Sequence, residues 1–128
     1  MNIKSVHHIA IICSNYNISK HFYTEILNLK IQRETFRADR NSYKLDLIVD
    51  NSCNIELFSF EHAPKRISNP EACGLRHLAF EVENIKKEIE YLNSKGIITE
   101  EIRIDTLTGK KFTFFQDPDG LPLELYEA

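Results

Sequence analysis

The chain has no long apolar run, no excess of basic charge and no paired cysteines, and each lack removes a class of function. The longest apolar run near the N-terminus, Ile9 to Cys13, is too short to span a bilayer or to form the core of a signal peptide. Lysine and arginine number 16 against 19 aspartates and glutamates, a formal net charge of -3. That balance offers no basic field for nucleic acid and no polybasic patch for a membrane surface. Three cysteines (Cys13, Cys53, Cys73) include no Cys-x-x-Cys pair and cannot all be bonded within one chain. The expectation is a reduced, cytoplasmic protein whose cysteines act as small hydrophobes. What remains is ordinary soluble composition, 42% hydrophobic and 27% charged, in 128 residues. That is the size of one domain or of two very small half-domains.

Read in order, the pattern predicts a buried strand over 6–13 (VHHIAIIC), which is short and fits no helical period. A helix follows, with Ile18, Phe22 and Ile26 one turn apart, ending near Asn28. Strands are expected at 30–37, 42–50 and 54–60, with turns at Asp39-Arg40-Asn41 and Asn51-Ser52. The stretch containing Pro64, Pro70 and Gly74 has no period and reads as a connector. The pattern then restarts. A strand at 75–82 precedes an amphipathic helix on Ile85, Ile89 and Leu92, closed by Lys95-Gly96. Strands at 98–104, 111–116 and 121–127 complete the second half, the last two joined by an Asp117-Pro118-Asp119-Gly120 turn. On the final strand Leu121, Leu123 and Leu125 share one face, expected against a helix, and Glu124 lies on the other with Pro122 and Tyr126.

Both halves therefore read strand, helix, three strands, and the repeat extends to chemistry. His8-Ile9-Ala10-Ile11 aligns with His77-Leu78-Ala79-Phe80, and Asn15-Tyr16 with Asn84-Ile85. Ile55-Glu56-Leu57 aligns with Leu123-Glu124-Leu125 at a spacing that differs by one residue. Module one is expected over about 5–61, a connector over 62–74 and module two over 75–128. Each module offers one histidine on its first strand and one glutamate on its last. A lone strand histidine is usually a hydrogen-bonded core or surface residue, and a lone strand glutamate is usually solvated. Four such residues matched by a repeat form a set suited to one divalent metal (nickel, cobalt, zinc or iron), with the carboxylates cancelling its charge. The expected ligands are His8, Glu56, His77 and Glu124. His7 points to the opposite strand face, and His21 and His62 are expected in solvent.

The paired His-x-Ala strands, the Ser19-x-x-Phe22-Tyr23 helix motif and the Asp-Pro-Asp-Gly turn resemble the vicinal oxygen chelate superfamily, and within it glyoxalase I and its single-domain bacterial likenesses. The resemblance covers nearly the whole chain. It implies an α+β fold of tandem βαβββ modules whose curved mixed sheets enclose a metal. It also implies a metal-dependent lyase or isomerase of lactoylglutathione lyase type, acting on a hemithioacetal or another small substrate with adjacent oxygens through an enediolate. Glu124 is the expected proton carrier, with Glu56 the alternative.

Two positions depart from the glutathione-using pattern. Ile12 stands where an arginine would grip glutathione, and Phe60 where an asparagine would. Another thiol, or another substrate with two adjacent oxygens, is therefore expected. Arg37, Lys44, Arg76 and Lys111 are spare cations, expected as solvated charges. The competing readings are an extradiol dioxygenase and a thiol transferase of the fosfomycin-resistance type, both with three-ligand sites, and a non-catalytic small-molecule binding module. By analogy a homodimer is expected, with His8 and Glu56 of one copy completing a site with His77 and Glu124 of the other wherever one chain's modules do not face each other.

Overall fold

The computed structural model describes residues 1–128 and divides into two compact units, Met1–Lys65 and Arg66–Ala128. In the first, strand β1 (His8–Cys13) leads to helix α1 (Tyr16–His21), which continues as a π-helical turn, Phe22–Ile26. The Asn15 side chain caps α1 by accepting from the Ile18 N–H. Asn28, at φ 58, ends the helical stretch in the left-handed region that asparagine tolerates. Strands β2 (Lys30–Arg37), β3 (Ser42–Ile48) and β4 (Asn54–Ser59) follow, and the sheet runs β1-β4-β3-β2. β1 is parallel to β4 and the other pairings are antiparallel.

The second unit repeats this build. Strand β5 (Leu78–Val82), helix α2 (Ile85–Ser94), and strands β6 (Arg103–Ile104), β7 (Lys111–Gln116) and β8 (Pro122–Glu127) form a sheet of order β5-β8-β7-β6. β5 is parallel to β8, and β8–β7 and β7–β6 are antiparallel. Asn84 caps α2 through the Lys87 N–H at 3.0 Å, the counterpart of Asn15. Two mixed four-stranded sheets with one helical stretch each are the α+β, tandem βαβββ architecture.

Alternation decides which sheet face is core. Ile55 and Leu57 are fully buried with Leu45, Leu47, Phe22 and Tyr23, whereas Asn54, Glu56 and Phe58 turn to the other face and are half-buried. In the second unit Leu121, Leu123 and Leu125 are buried with Phe115, Ile85 and Leu92, so the leucine face of β8 meets α2. Each such side chain removed from water contributes about 1.5–3 kcal/mol.

Two strand expectations are corrected. The strand expected at 75–82 begins only at Leu78, so His77 stands one residue before β5. The register that sets Leu78 opposite Leu123 would put His77 opposite Pro122, which has no N–H for the ladder. The strand expected at 98–104 shrinks to Arg103–Ile104. Glu100 donates its N–H to the Phe114 carbonyl at 2.8 Å, but the buried Thr113 hydroxyl takes the Glu100 carbonyl, so that acceptor is lost to a regular ladder.

Candidate metal and substrate site

In the first unit Glu56 sits midway along β4, facing Ala10 on β1 and Asp46 on β3. His8 is two residues before Ala10, hence on the same face, and alanine between them leaves room for the imidazole to lean over. His8 Nε2 lies 3.6 Å from Glu56 Oε2. The other ring nitrogen of His8 is 2.9 Å from Nδ1 of His7. The same face carries Lys44, whose ammonium bridges Asp46 at 3.2 Å and Glu56 at 3.1 Å. The Glu56 contact first, then Asp46, hold the Lys44 ammonium above its ordinary pKa, while desolvation opposes them.

The second unit places its residues equivalently and surrounds them differently. Glu124 on β8 faces Ala79 on β5 and Phe114 on β7. His77 Nε2 is 2.9 Å from Glu124 Oε2. Phe114 and Phe112 replace the charges that Asp46 and Lys44 supply in the first unit, and the His77 ring stands edge-on to Phe114 at 5.1 Å. Glu124 is only 8% exposed, and its one close polar partner is His77. A buried carboxylate among aromatic rings needs such a partner. Beside it opens a cavity of about 830 Å³ lined by His77, Glu124, Phe112, Phe114, Arg76 and Arg103, among others.

The structure thus brings His8 to Glu56 and His77 to Glu124. No group of three or more His, Cys, Asp or Glu able to hold a metal is gathered in the chain. The donor set itself fits a borderline divalent ion: two imidazole nitrogens, each already turned towards a carboxylate oxygen on a rigid strand.

Of the spare cations, Arg76 is a solvated charge as expected, its side chain 70% exposed, whereas Arg37, Lys44 and Lys111 are partly covered. Lys44 belongs to the first His–Glu pair. Arg37 stacks over Phe58 at 4.8 Å and donates to Ser42 Oγ at 2.9 Å, Arg76 holds Glu71 at 2.6 Å, and Lys111 faces Glu127 at 3.6 Å. Asp46 and Arg103 were not singled out by the sequence, because only the β3–β4 and β6–β7 registers place them beside Glu56 and the Phe112–Phe114 pair. Ile12 is an exposed apolar side chain and Phe60 is half-buried, so neither offers a polar grip.

The chain belongs to the Glyoxalase/Bleomycin resistance protein/Dioxygenase superfamily, whose pattern it matches over residues 5–125. It is 59% identical over 127 residues to YwkD of Bacillus subtilis (strain 168), itself uncharacterised, covering 99% of both chains. Among solved structures it is similar to the glyoxalase family protein from Enterococcus faecalis, at a TM-score of 0.92 and 53% identity over 99% of this chain and 100% of that one. A more distant relative is the metallothiol transferase FosB of Staphylococcus saprophyticus, 28% identical over 97% of this chain and 77% of that protein. No helix is long and apolar enough to cross a membrane.

Proposed function

We propose that this protein is a metal-dependent lyase or isomerase of glyoxalase type, with Glu124 as its proton carrier. The observation that carries the reading is the buried Glu124 carboxylate, paired only with His77 at the edge of an aromatic cavity. His8, Glu56, His77 and Glu124 would hold one divalent ion (nickel, cobalt, zinc or iron). When bound, it supplies a Lewis acid for charge developing on the substrate's two adjacent oxygens.

The chain's own residues do the rest. Glu124 takes the proton from the carbon bearing sulfur and hydroxyl in a hemithioacetal and returns it to the neighbouring carbonyl carbon, so atoms balance in a thioester isomer. Glu124 suits this better than Glu56, because the Glu56 carboxylate is already engaged by the Lys44 ammonium at 3.1 Å. Phe112 and Phe114 keep water from the proton in transit. With Ile12 and Phe60 at the two grip positions, the thiol is not glutathione. Three free cysteines fit a cytoplasmic setting.

Each unit holds half the donors, and we place the working form as a homodimer in which a site draws its two pairs from two copies. Mixing His8→Ala with His77→Ala chains tests this. Random pairing across copies restores roughly a quarter of the sites, whereas a site confined to one chain stays dead in the mixture.

The main test is elemental analysis after exposure to nickel, cobalt, zinc and iron, followed by turnover of methylglyoxal hemithioacetals made with several thiols. Close to one metal per chain, lost in His77→Ala, and turnover abolished in Glu124→Gln are the expected results. Unchanged turnover in Glu124→Gln overturns the assignment. The Lys44–Glu56 pair favours one second reading, a three-donor site of His8, His77 and Glu124 like that of a dioxygenase or thiol transferase. Full metal content in Glu56→Gln would select it, and binding of a small molecule with no turnover of any kind would select a binding module.

A further inference from the structure

We infer that Arg103 is the anion anchor of the Glu124 cavity, so the substrate is a small molecule carrying an oxyanion (a carboxylate or a phosphate) beside its reacting carbons. This rests on the reading of Glu124 and His77 as the reacting end of that cavity.

The sheet register makes the case. Arg103 pairs with Phe112 on β7, and Phe112 pairs with Tyr126 on β8. Phe114 and Glu124 form the next row on the same face, two residues along each strand. Arg103 therefore stands on the Glu124 face, with Phe114 between them. Its guanidinium lies over the rings of Phe112 at 4.9 Å and Phe114 at 5.4 Å, and His77 meets that same Phe114 ring edge-on. Stacking on two rings holds a guanidinium plane without using its N–H groups, which stay free to donate in a fork to a planar or tetrahedral oxyanion.

The two arginines on the cavity wall are not equivalent. Arg76 donates its Nε to Glu71 at 2.6 Å in a pair that is itself exposed, at 70% and 63%, and what sets Arg103 apart is its seat over two rings. Arg103 makes one close polar contact, from Nη2 to Glu100 Oε2 at 2.9 Å, in a pair whose side chains are 54% and 60% exposed. An exposed pair three residues apart holds weakly and yields to a better acceptor. Glu124 at the other end repels an approaching anion, so a cation on the wall selects which way round the substrate enters. Because one phenylalanine ring separates the two ends, the molecule that bridges them is small.

The test uses the metal-free full chain, so that it stands whatever becomes of the metal reading. Inorganic phosphate and acetate are titrated separately against the 15N-labelled protein, following the Arg103 Nε–H signal, which is identified by its loss in Arg103→Gln. Saturable shifts of that signal and of the Phe112 and Phe114 amides are expected, with the tighter of the two probes naming the group. Arg103→Gln should weaken binding about tenfold or more, and Arg103→Lys, which keeps charge but loses the fork, by less. Glu100→Gln should tighten it by removing the competing carboxylate, a gain that a merely structural arginine would not produce. Equal affinity in wild type and Arg103→Gln overturns the inference, as do shifts that fail to saturate for both anions. Nickel binding by the same preparations, measured separately, reports on the metal reading alone.

Discussion

Removing His77 and removing the charge of Glu124 should not cost the same, although each breaks the same pair. Glu124 is 8% exposed and faces Phe114 and Ala79 across its neighbouring strands. In His77→Ala the carboxylate keeps its burial and loses its one close partner. Orphaning a buried acceptor costs about 1–3 kcal/mol, and a charged one sits in the upper part of that range. The 28% exposure of the His77 side chain lets water replace part of it, so about 2 kcal/mol is expected. In Glu124→Gln no charge is left buried and the amide still reaches the imidazole, so the loss should stay within about 1 kcal/mol. The double variant should be no less stable than His77→Ala, which makes the two effects non-additive. Urea unfolding in the presence of a chelator reads all three. At a slope of about 2 kcal/mol/M, a 2 kcal/mol loss moves the midpoint by about 1 M. Nickel at a hundredfold over its Kd should then stabilise the wild type by about 2.7 kcal/mol and both single variants by much less. If Glu124→Gln costs as much as His77→Ala in metal-free protein, Glu124 is not a desolvated charge held by its histidine, and the reasoning fails.

Four further outcomes are expected. Lys20, at 2.6 Å, and then Tyr16 hold Glu34 below its ordinary 4.5, so its contribution is present above that pH and is lost as pH falls through the lower folded value; Glu34→Gln should flatten the acid limb of Tm against pH. Burial first, then Glu34, raise the Tyr16 phenol above its ordinary 10.0, so that contribution is present below pH 10 and is lost as pH rises through the higher folded value, and Tyr16→Phe should delete a late step in an ultraviolet titration. Asn84→Ala removes the cap of α2 and should cost about 1 kcal/mol, or about 3–5 °C in Tm by calorimetry. Asp117 accepts the N–H groups of Asp119 and Leu121, each at 2.9 Å, in a site 5% exposed; Asp117→Ala should cost about 2 kcal/mol by urea unfolding and Asp117→Asn less.

Much of the candidate site was legible in one dimension because β-sheets convert sequence parity into direction. Once β1 and β4, or β5 and β8, are recognised as strands, His8, Ala10 and Glu56, like His77, Ala79 and Glu124, must share faces, and a neighbouring alanine leaves the histidine its room. The Asp-Pro-Asp-Gly turn was legible for a related reason, since its hydrogen bonds close within four residues. Arg103 was not legible. Its strand is two residues long, and its partners Phe112 and Phe114 are reached across a loop whose length says nothing about register. Lys44 was visible as a cation, but its tie to Glu56 depends on which β4 residue faces Asp46.

The repeat, the order of elements and the matching of a histidine with a glutamate in each half could be read from the chain, because local periodicity and spacing carry that information. That the two halves are unlike follows from long-range strand pairing. Backbone hydrogen bonding between strands set Asp46 and Lys44 beside Glu56, but Phe114 and Phe112 beside Glu124. One carboxylate is thereby neutralised by a lysine. The other is left among aromatic rings with a histidine as its close polar partner. Which neighbour faces which across a sheet is fixed by the long-range register that packing selects, and no local pattern in the chain states it.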